Sequence, residues 1–245
     1  MGLCVANSYD LSGKTAVVTG GGRGIGRAIV ECLADSGAKV CIWDQRPGSS
    51  PSFRSEIVDV TDADQVAGAL ARVLGHTARL DIVVNNAGYL GLLNAFDRHD
   101  PKDWLKIIQV NLIGMMNVAQ AVLPHMRYAG GGRIVNMGSL AGKEGLAHLA
   151  AYSAASAGVI AFTKALGREV VNDKIFVNCV APGPIDTDMV RGLGREAVEQ
   201  MISDSPIKRL GTVEEVAQLV TWLCSDASRF NAGAVFDMSG GRARY

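Results

Sequence analysis

The chain has 245 residues, with 24 Lys plus Arg set against 24 Asp plus Glu and 48% apolar side chains. That length suits a single α/β domain with a substantial core, and a zero net charge offers no basic surface for nucleic acid or an anionic membrane. Five cysteines, at 4, 32, 41, 179 and 224, are widely spaced and odd in number, which fits a reducing compartment better than a disulfide framework. The four histidines (76, 99, 125, 148) are scattered, and neither CxxC nor paired-histidine spacing suggests a metal. The N-terminus lacks a basic segment followed by an apolar core, and no apolar run reaches about 18 residues. The expectation is a cytoplasmic protein whose partner is a small molecule, with residues 1–11 as a loose lead-in.

The run Lys14 to Thr19 is apolar and β-branched, of strand length, and it meets a glycine cluster before Ile25, Ala28, Ile29, Cys32 and Leu33 repeat at helical spacing. This reads as strand, tight turn, helix. Glycines at 20, 24 and 26 allow close backbone approach, and the amides at a helix start suit a pyrophosphate. Lys39 to Trp43 is a second strand ending at Asp44, and the Pro, Gly and Ser of Gln45 to Arg54 leave room only for a loop or a single turn. Ser55 to Asp59 is a third strand; Thr61 offers an N-cap to a helix with Val66, Leu70, Val73 and Leu74 on one face. Leu80 to Asn85 is the fourth.

Asp100-Pro101 opens a long helix to about Arg127 by the cap-then-proline rule. Then follow strand Arg133 to Met137, a loop to Ala151, a small-residue helix from Ser153 to Val171 and strand Ile175 to Val180. A polar, lid-like segment (186–210) precedes helix Val213 to Cys224 and a short strand at Val235 to Asp237. Repeated βα units with short links require a parallel sheet covered by helices on both faces, with ligands at the carboxyl ends of the strands. The fold class is therefore α/β: one Rossmann-like, doubly wound domain over 1–245 with about seven parallel strands.

The motifs, in order, are TGGGRGIG (Thr19 to Gly26), NNAG (Asn85 to Gly88), Asn111 in VNLIG, Ser139 in VNMGS, Tyr152, Pro182-Gly183 in NCVAPGPIDT, and NAGAVFDMSGG (Asn231 to Gly241). Together they resemble the short-chain dehydrogenase/reductase family, in the compact type that includes the oxoacyl-carrier-protein reductases, and the resemblance covers essentially the whole chain. It implies a nicotinamide dinucleotide with Gly20, Arg23, Gly24, Ile25 and Gly26 around the pyrophosphate, and Asp59 and Val60 at the adenine. Asn85, Asn86, Ala87 and Gly88 would line the cleft, and Pro182, Gly183, Ile185 and Thr187 would stand at the nicotinamide. Tyr152 would exchange the substrate's hydroxyl proton, Ser139 would hold the substrate oxygen, and Asn111 would interrupt its helix to support the proton relay. The long helices near 101–127 and 153–171 would pair across a dimer face within a homotetramer.

Asp44 ends the second strand 24 positions after Gly20. There a carboxylate accepts hydrogen bonds from both ribose hydroxyls of NAD and repels a 2′-phosphate, so NAD is favoured over NADP, with Arg23 and Arg46 as the nearby cations. NAD in turn fits oxidation of an alcohol.

One residue departs from the family pattern. Four residues after the tyrosine the family carries lysine, and here Ser156 stands. Bringing a phenol from about 10 to about 7 takes roughly 4 kcal/mol, about what one cation at ~4 Å supplies at an effective dielectric near 20. A neutral hydroxyl contributes on the order of 1 kcal/mol. Three readings stay open: an enzyme with slow or alkaline-shifted turnover, a second cation such as Lys143 or Lys164 at the site, or an NAD-binding relative with little catalysis. Lys164 lies twelve residues along the helix, about 18 Å away. For the substrate, Lys143, His148, Arg191 and Arg195 could receive a carboxylate, as of a hydroxy acid or sugar acid, whereas Leu90, Leu92, Leu140, Leu146 and Met189 suit a more apolar alcohol.

Overall fold

All five residues of β1 (Thr15–Thr19) are buried, as a strand covered on both faces requires. In the computed structural model, which describes residues 9–46 and 52–244, β1 lies at the centre of a seven-stranded sheet. After it come α1 (Gly24–Asp35), β2 (Lys39–Asp44), β3 (Arg54–Ile57), α2 (Ala63–Thr77) and β4 (Ile82–Asn85). The chain continues through α3 (Pro101–Ile108), a π-helical turn (Gln109–Ile113), α4 (Gly114–Tyr128), β5 (Gly132–Met137), α5 (Leu140–Glu144) and α6 (Ala150–Val170). It ends with β6 (Ile175–Pro182), α7 (Asp188–Arg191), α8 (Arg195–Asp204), α9 (Val213–Cys224) and β7 (Val235–Met238). The strand order is β3-β2-β1-β4-β5-β6-β7, and every neighbouring pair is parallel. The order reverses between β1 and β4, which opens a crevice at their carboxyl ends.

Two apolar layers sandwich the sheet. On one face α2, α4 and α6 bury Val66, Leu70, Val118, Val122, Met126 and Leu166 against Val17, Val83 and Ile134. On the other, α1 and α9 bury Ile29, Leu33, Val216, Val220 and Leu223 against Ala16, Val18 and Val135. The helical run Pro101–Tyr128 is the one stretch among the described residues long and apolar enough to cross a membrane, yet its Val118, Ala119, Val122 and Met126 lie in the core beside the sheet. A polar seam crosses that core. Asn85 of β4 stands in register with Asn136 of β5 and donates to it at 2.9 Å, and Asn136 donates to Thr163 of α6 at 2.9 Å.

Several expectations are corrected. Asp62, not Thr61, caps α2, because its carboxylate accepts from the amides of Asp64 and Gln65. Leu11 is not loose: it is buried, and its amide donates to Ser36 at 2.7 Å. β3 ends at Ile57, so Asp59 lies beyond the strand, where it folds back on Thr61. The loop before Ala151 contains α5, capped by Ser139, and α6 begins at Ala150, which places Tyr152 within its first turn. The segment 186–210 holds two helices, α7 and α8. Residues 1–8 of the lead-in and 47–51 of the Gln45 to Arg54 loop lie outside the described residues.

Candidate active site

The glycine turn between β1 and α1 is built by close approach. Gly20 takes φ +63°, and a Cβ there would stand 2.9 Å from the Cα of Ala87; a Cβ on Gly26 would lie 2.1 Å from the carbonyl oxygen of Gly20. No larger residue fits either position. Arg23 is extended at the N-cap of α1, no side chain caps the helix there, and Gly24 and Ile25 begin the first turn. The helix start therefore offers its amides and its positive dipole end to an anion.

Asp44 lies beneath this turn. Its Oδ2 accepts from the Gly22 amide at 3.1 Å and its Oδ1 from the Arg46 amide at 3.1 Å. Asn86 ties the end of β4 to the same turn, donating from Nδ2 to the carbonyls of Thr19 (3.2 Å) and Gly20 (3.1 Å), while the amides of Asn86 and Ala87 share the Thr19 hydroxyl at 3.0 Å. Gly88 follows, beside Asn111. Beyond Asp44 a cavity of about 400 Å³ is lined by Gln45, Asp59 and Thr61 on one side and by Lys106, Gln109 and Val110 on the other. Two residues face elsewhere: Asn85 turns its side chain inward to Asn136, and Val60 is buried against Gly114, with its carbonyl accepting from Asn117 at 3.0 Å.

The opposite wall comes from the end of β6. Pro182 closes the strand and the Gly183 amide donates to Met238 at 3.1 Å. Ile185 is buried and pairs with Gly211, and Thr187 donates to the Ile185 carbonyl (3.3 Å) while capping α7. A Cβ on Gly24 would come within 3.7 Å of the Thr187 methyl, so the two walls face each other across the helix start.

Ser139 lies two residues past β5 as the N-cap of α5, and its Oγ accepts from the Ala141 amide at 3.1 Å. The Tyr152 hydroxyl interacts with the hydroxyls of Ser139 and Ser156. Burial pushes the phenol above its ordinary value, the two hydroxyls oppose that rise, and no cation of the described residues is among the influences. Ser156 is 4% exposed, roofed by Gly142, where a Cβ would lie 2.5 Å from the Ser156 carbonyl carbon. Neither lysine considered from the sequence supplies a charge to the phenol: the Lys143 ammonium is 2.8 Å from Asp237, and Lys164 is exposed on α6. Arg191 forms a two-point pair with Asp186 (2.6 and 2.7 Å), and Arg195 is paired with Glu199 at 2.7 Å.

Asn111 is buried at the centre of the π turn, so its helix is indeed interrupted there. Its side chain clamps Tyr89 from both sides: Oδ1 accepts from the Tyr89 amide at 2.7 Å and Nδ2 donates to the Tyr89 carbonyl at 2.8 Å. The Tyr89 hydroxyl reaches Asp103 at 2.7 Å. Nothing in the sequence singles out this pair, because Asp103 in the first turn after Asp100-Pro101 has the look of an ordinary dipole-matching acid. Among the described residues no group of His, Cys, Asp and Glu could hold a metal ion.

Residues 20–243 match the family model described as enoyl-(acyl carrier protein) reductase. The chain is 38% identical over 247 residues to a 3-oxoacyl-(acyl-carrier-protein) reductase of Chlamydia muridarum, covering 95% of this chain and 98% of the relative. The chain belongs to the short-chain dehydrogenase/reductase family. This dehydrogenase/reductase is also 34% identical over 241 residues to the 2-dehydro-3-deoxy-L-rhamnonate dehydrogenase (NAD(+)) of a Sphingomonas species, with 96% and 97% of the two chains covered. Its fold superposes on the crystal structure of gox2181 with a TM-score of 0.93 at 31% identity, over 96% of this chain and 98% of that one. Membership of this family makes it an oxidoreductase acting on a CH–OH or keto group with a nicotinamide cofactor.

Proposed function

We propose that the protein is an NAD-dependent dehydrogenase that oxidises a secondary alcohol to the ketone. The observation that carries this reading is Tyr152 beside Ser139, just past the carboxyl end of β5 and so at the same edge of the parallel sheet as the glycine turn that follows β1. NAD supplies the hydride acceptor when bound. Its ribose would be held by Asp44 and its pyrophosphate by the amides at the start of α1, in a turn that stays this tight only because Gly20 and Gly26 carry no Cβ to strike Ala87 and the Gly20 carbonyl. The NAD(+) in the name of the Sphingomonas relative supports the same choice.

In the oxidation Ser139 Oγ hydrogen-bonds the alcohol oxygen and orients it, and Tyr152 Oη, as phenolate, takes the hydroxyl proton while the carbinol hydrogen leaves as hydride. Pro182, Gly183, Ile185 and Thr187 form the wall for the nicotinamide end, and 186–210 is the lid. Because burial raises the Tyr152 phenol and no cation opposes it, turnover is slow at neutral pH and climbs in alkali. A homotetramer fits the exposed Leu105 and Met116 and the exposed alanines 154, 157 and 161 on the outer faces of α3, α4 and α6. The same reading places the protein in the cytoplasm.

The test is NADH absorbance with a panel of secondary alcohols and hydroxy acids at neutral and alkaline pH, repeated with Tyr152→Phe. Turnover that disappears in the variant, with NAD binding retained in calorimetry, supports the assignment. Turnover that survives refutes it, and NAD binding without turnover of any substrate makes the chain a cofactor-binding scaffold.

A further inference from the structure

The segment between β4 and α3 passes the mouth of the cleft, and side chains of α3 and the π turn determine its course. Asp103 is the hub: Oδ1 accepts from the Tyr89 hydroxyl at 2.7 Å and Oδ2 from the Leu92 amide at 3.1 Å. His99 Nε2 lies 3.4 Å from the same Oδ2 and 2.9 Å from the Leu92 carbonyl. Gly91 passes so close that a Cβ there would stand 3.0 Å from Oδ2 and 2.4 Å from Ile107. Burial opposes the Asp103 charge, but Tyr89, Leu92, His99 and Lys106 outweigh it and hold the carboxyl below its usual range.

Further along the segment the Asn94 amide donates to the His148 carbonyl at 3.2 Å, four residues before Tyr152. Tyr89 and Tyr152 pack in one apolar cluster with Ile107, Ala151 and Ala155. Along this pinned segment Leu92, Leu93 and Phe96 are 67%, 48% and 64% exposed. Of the four groups that would greet a carboxylate, Lys143, Arg191 and Arg195 are each engaged by an acid of this chain, which leaves His148.

We propose that Asp103 is a positioning residue for substrate: it holds residues 89–96 as a wall beside Tyr152, and Leu92, Leu93 and Phe96 of that wall receive the apolar substituent of an uncharged secondary alcohol. The proposal rests on the dehydrogenase reading above. A loop that must order itself around each substrate loses affinity in doing so; one carboxylate taking two donors across the loop removes that cost in advance. A charged hydroxy acid would have to displace Asp237, Asp186 or Glu199 to pair with Lys143, Arg191 or Arg195.

The experiment compares oxidation of 2-butanol, 2-octanol and 2-hydroxyoctanoate with NAD, together with amide hydrogen exchange. The wild type prefers 2-octanol over 2-butanol by about tenfold or more in kcat/KM, since each methylene leaving water is worth about fourfold. Asp103→Ala raises KM for 2-octanol about tenfold with kcat changed less than about threefold, and it accelerates exchange at the amides of 89–94. Its NAD affinity stays that of the wild type, whereas general damage to the fold would move NAD affinity, kcat and melting temperature together. Leu92→Ser, which keeps the clamp, lowers the chain-length preference without accelerating exchange. Equal kcat/KM for the two alcohols, a preference for 2-hydroxyoctanoate, or unchanged exchange in Asp103→Ala overturns the proposal. Faster exchange in that variant with NAD bound but no alcohol oxidised overturns the dehydrogenase reading and leaves the clamp standing.

Discussion

The Gly22 amide holds Oδ2 of Asp44 at 3.1 Å, and a Cβ at Gly22 would press within 3.0 Å of the same oxygen. With Oδ1 taken by the Arg46 amide, the carboxylate is fixed from two sides and has no freedom to swing from an incoming phosphate. Calorimetry is expected to give NAD an affinity at least about thirtyfold above NADP, and Asp44→Ala to narrow the ratio below about fivefold, chiefly through weaker NAD binding. A wild-type preference for NADP would remove the basis for the oxidative direction.

Ser156→Lys tests the missing charge. One cation near the phenol supplies about 4 kcal/mol at an effective dielectric near 20, so the alkaline inflection of kcat should fall by about two to three pH units and neutral turnover should rise about ten- to a hundredfold. An unmoved pH profile would show that Tyr152 is not the group being titrated.

Gly26→Ala puts a carbon where the Gly20 carbonyl already stands, 2.1 Å away. Both partners are backbone, so α1 must shift from the turn. The expected result is a loss of about 2 kcal/mol in denaturant unfolding, together with loss of NAD binding. Full affinity in this variant would mean that the cofactor does not cross the glycine turn.

Glu215 links the lid to the last helix. It accepts from Arg209 at 2.8 and 2.6 Å and from the Thr212 amide at 2.8 Å, closing a capping box at the start of α9. Arg209 and Thr212 pull its carboxyl down from 4.5 to about 2. Because the folded value is the lower one, this stabilisation is present above about 4.5 and fades as pH falls toward about 2. The side chain is 42% exposed, so solvent screening keeps the contribution below about 1 kcal/mol. Glu215→Gln should flatten the acid limb of stability between those values, and Thr212→Ala should cost about 1 kcal/mol at neutral pH, both read by thermal melts across pH.

The parallel sheet of about seven strands and its covering helices were legible because long periodic segments and spaced glycines leave strong local signals. What escaped notice depends on choices that periodicity does not encode. Thr61 and Asp62 are both competent caps, and only the amides of Asp64 and Gln65 decide for Asp62. The π turn around Asn111 adds one residue to a helical turn without disturbing the apolar face. α5 has five residues, too few to show a repeat. At the site, Tyr152 lies beside Ser139 and Asp44 against the glycine turn, while Asn85 belongs to the interior because its neighbour across the sheet is Asn136 rather than an apolar residue. The Asp103 clamp joins residues 14 apart through a loop without regular structure.

The amide ladder from Asn85 through Asn136 to Thr163 makes alignment error expensive. Sliding β4 by one position against β5, or turning α6 by one residue, would leave several hydrogen-bonding groups stranded in hydrocarbon, at about 1–3 kcal/mol each. Misaligned arrangements are thereby penalised before any ligand arrives, so the hydroxyls of Ser139, just past β5, and Tyr152, on α6, inherit their spacing from a proofreading step inside the core.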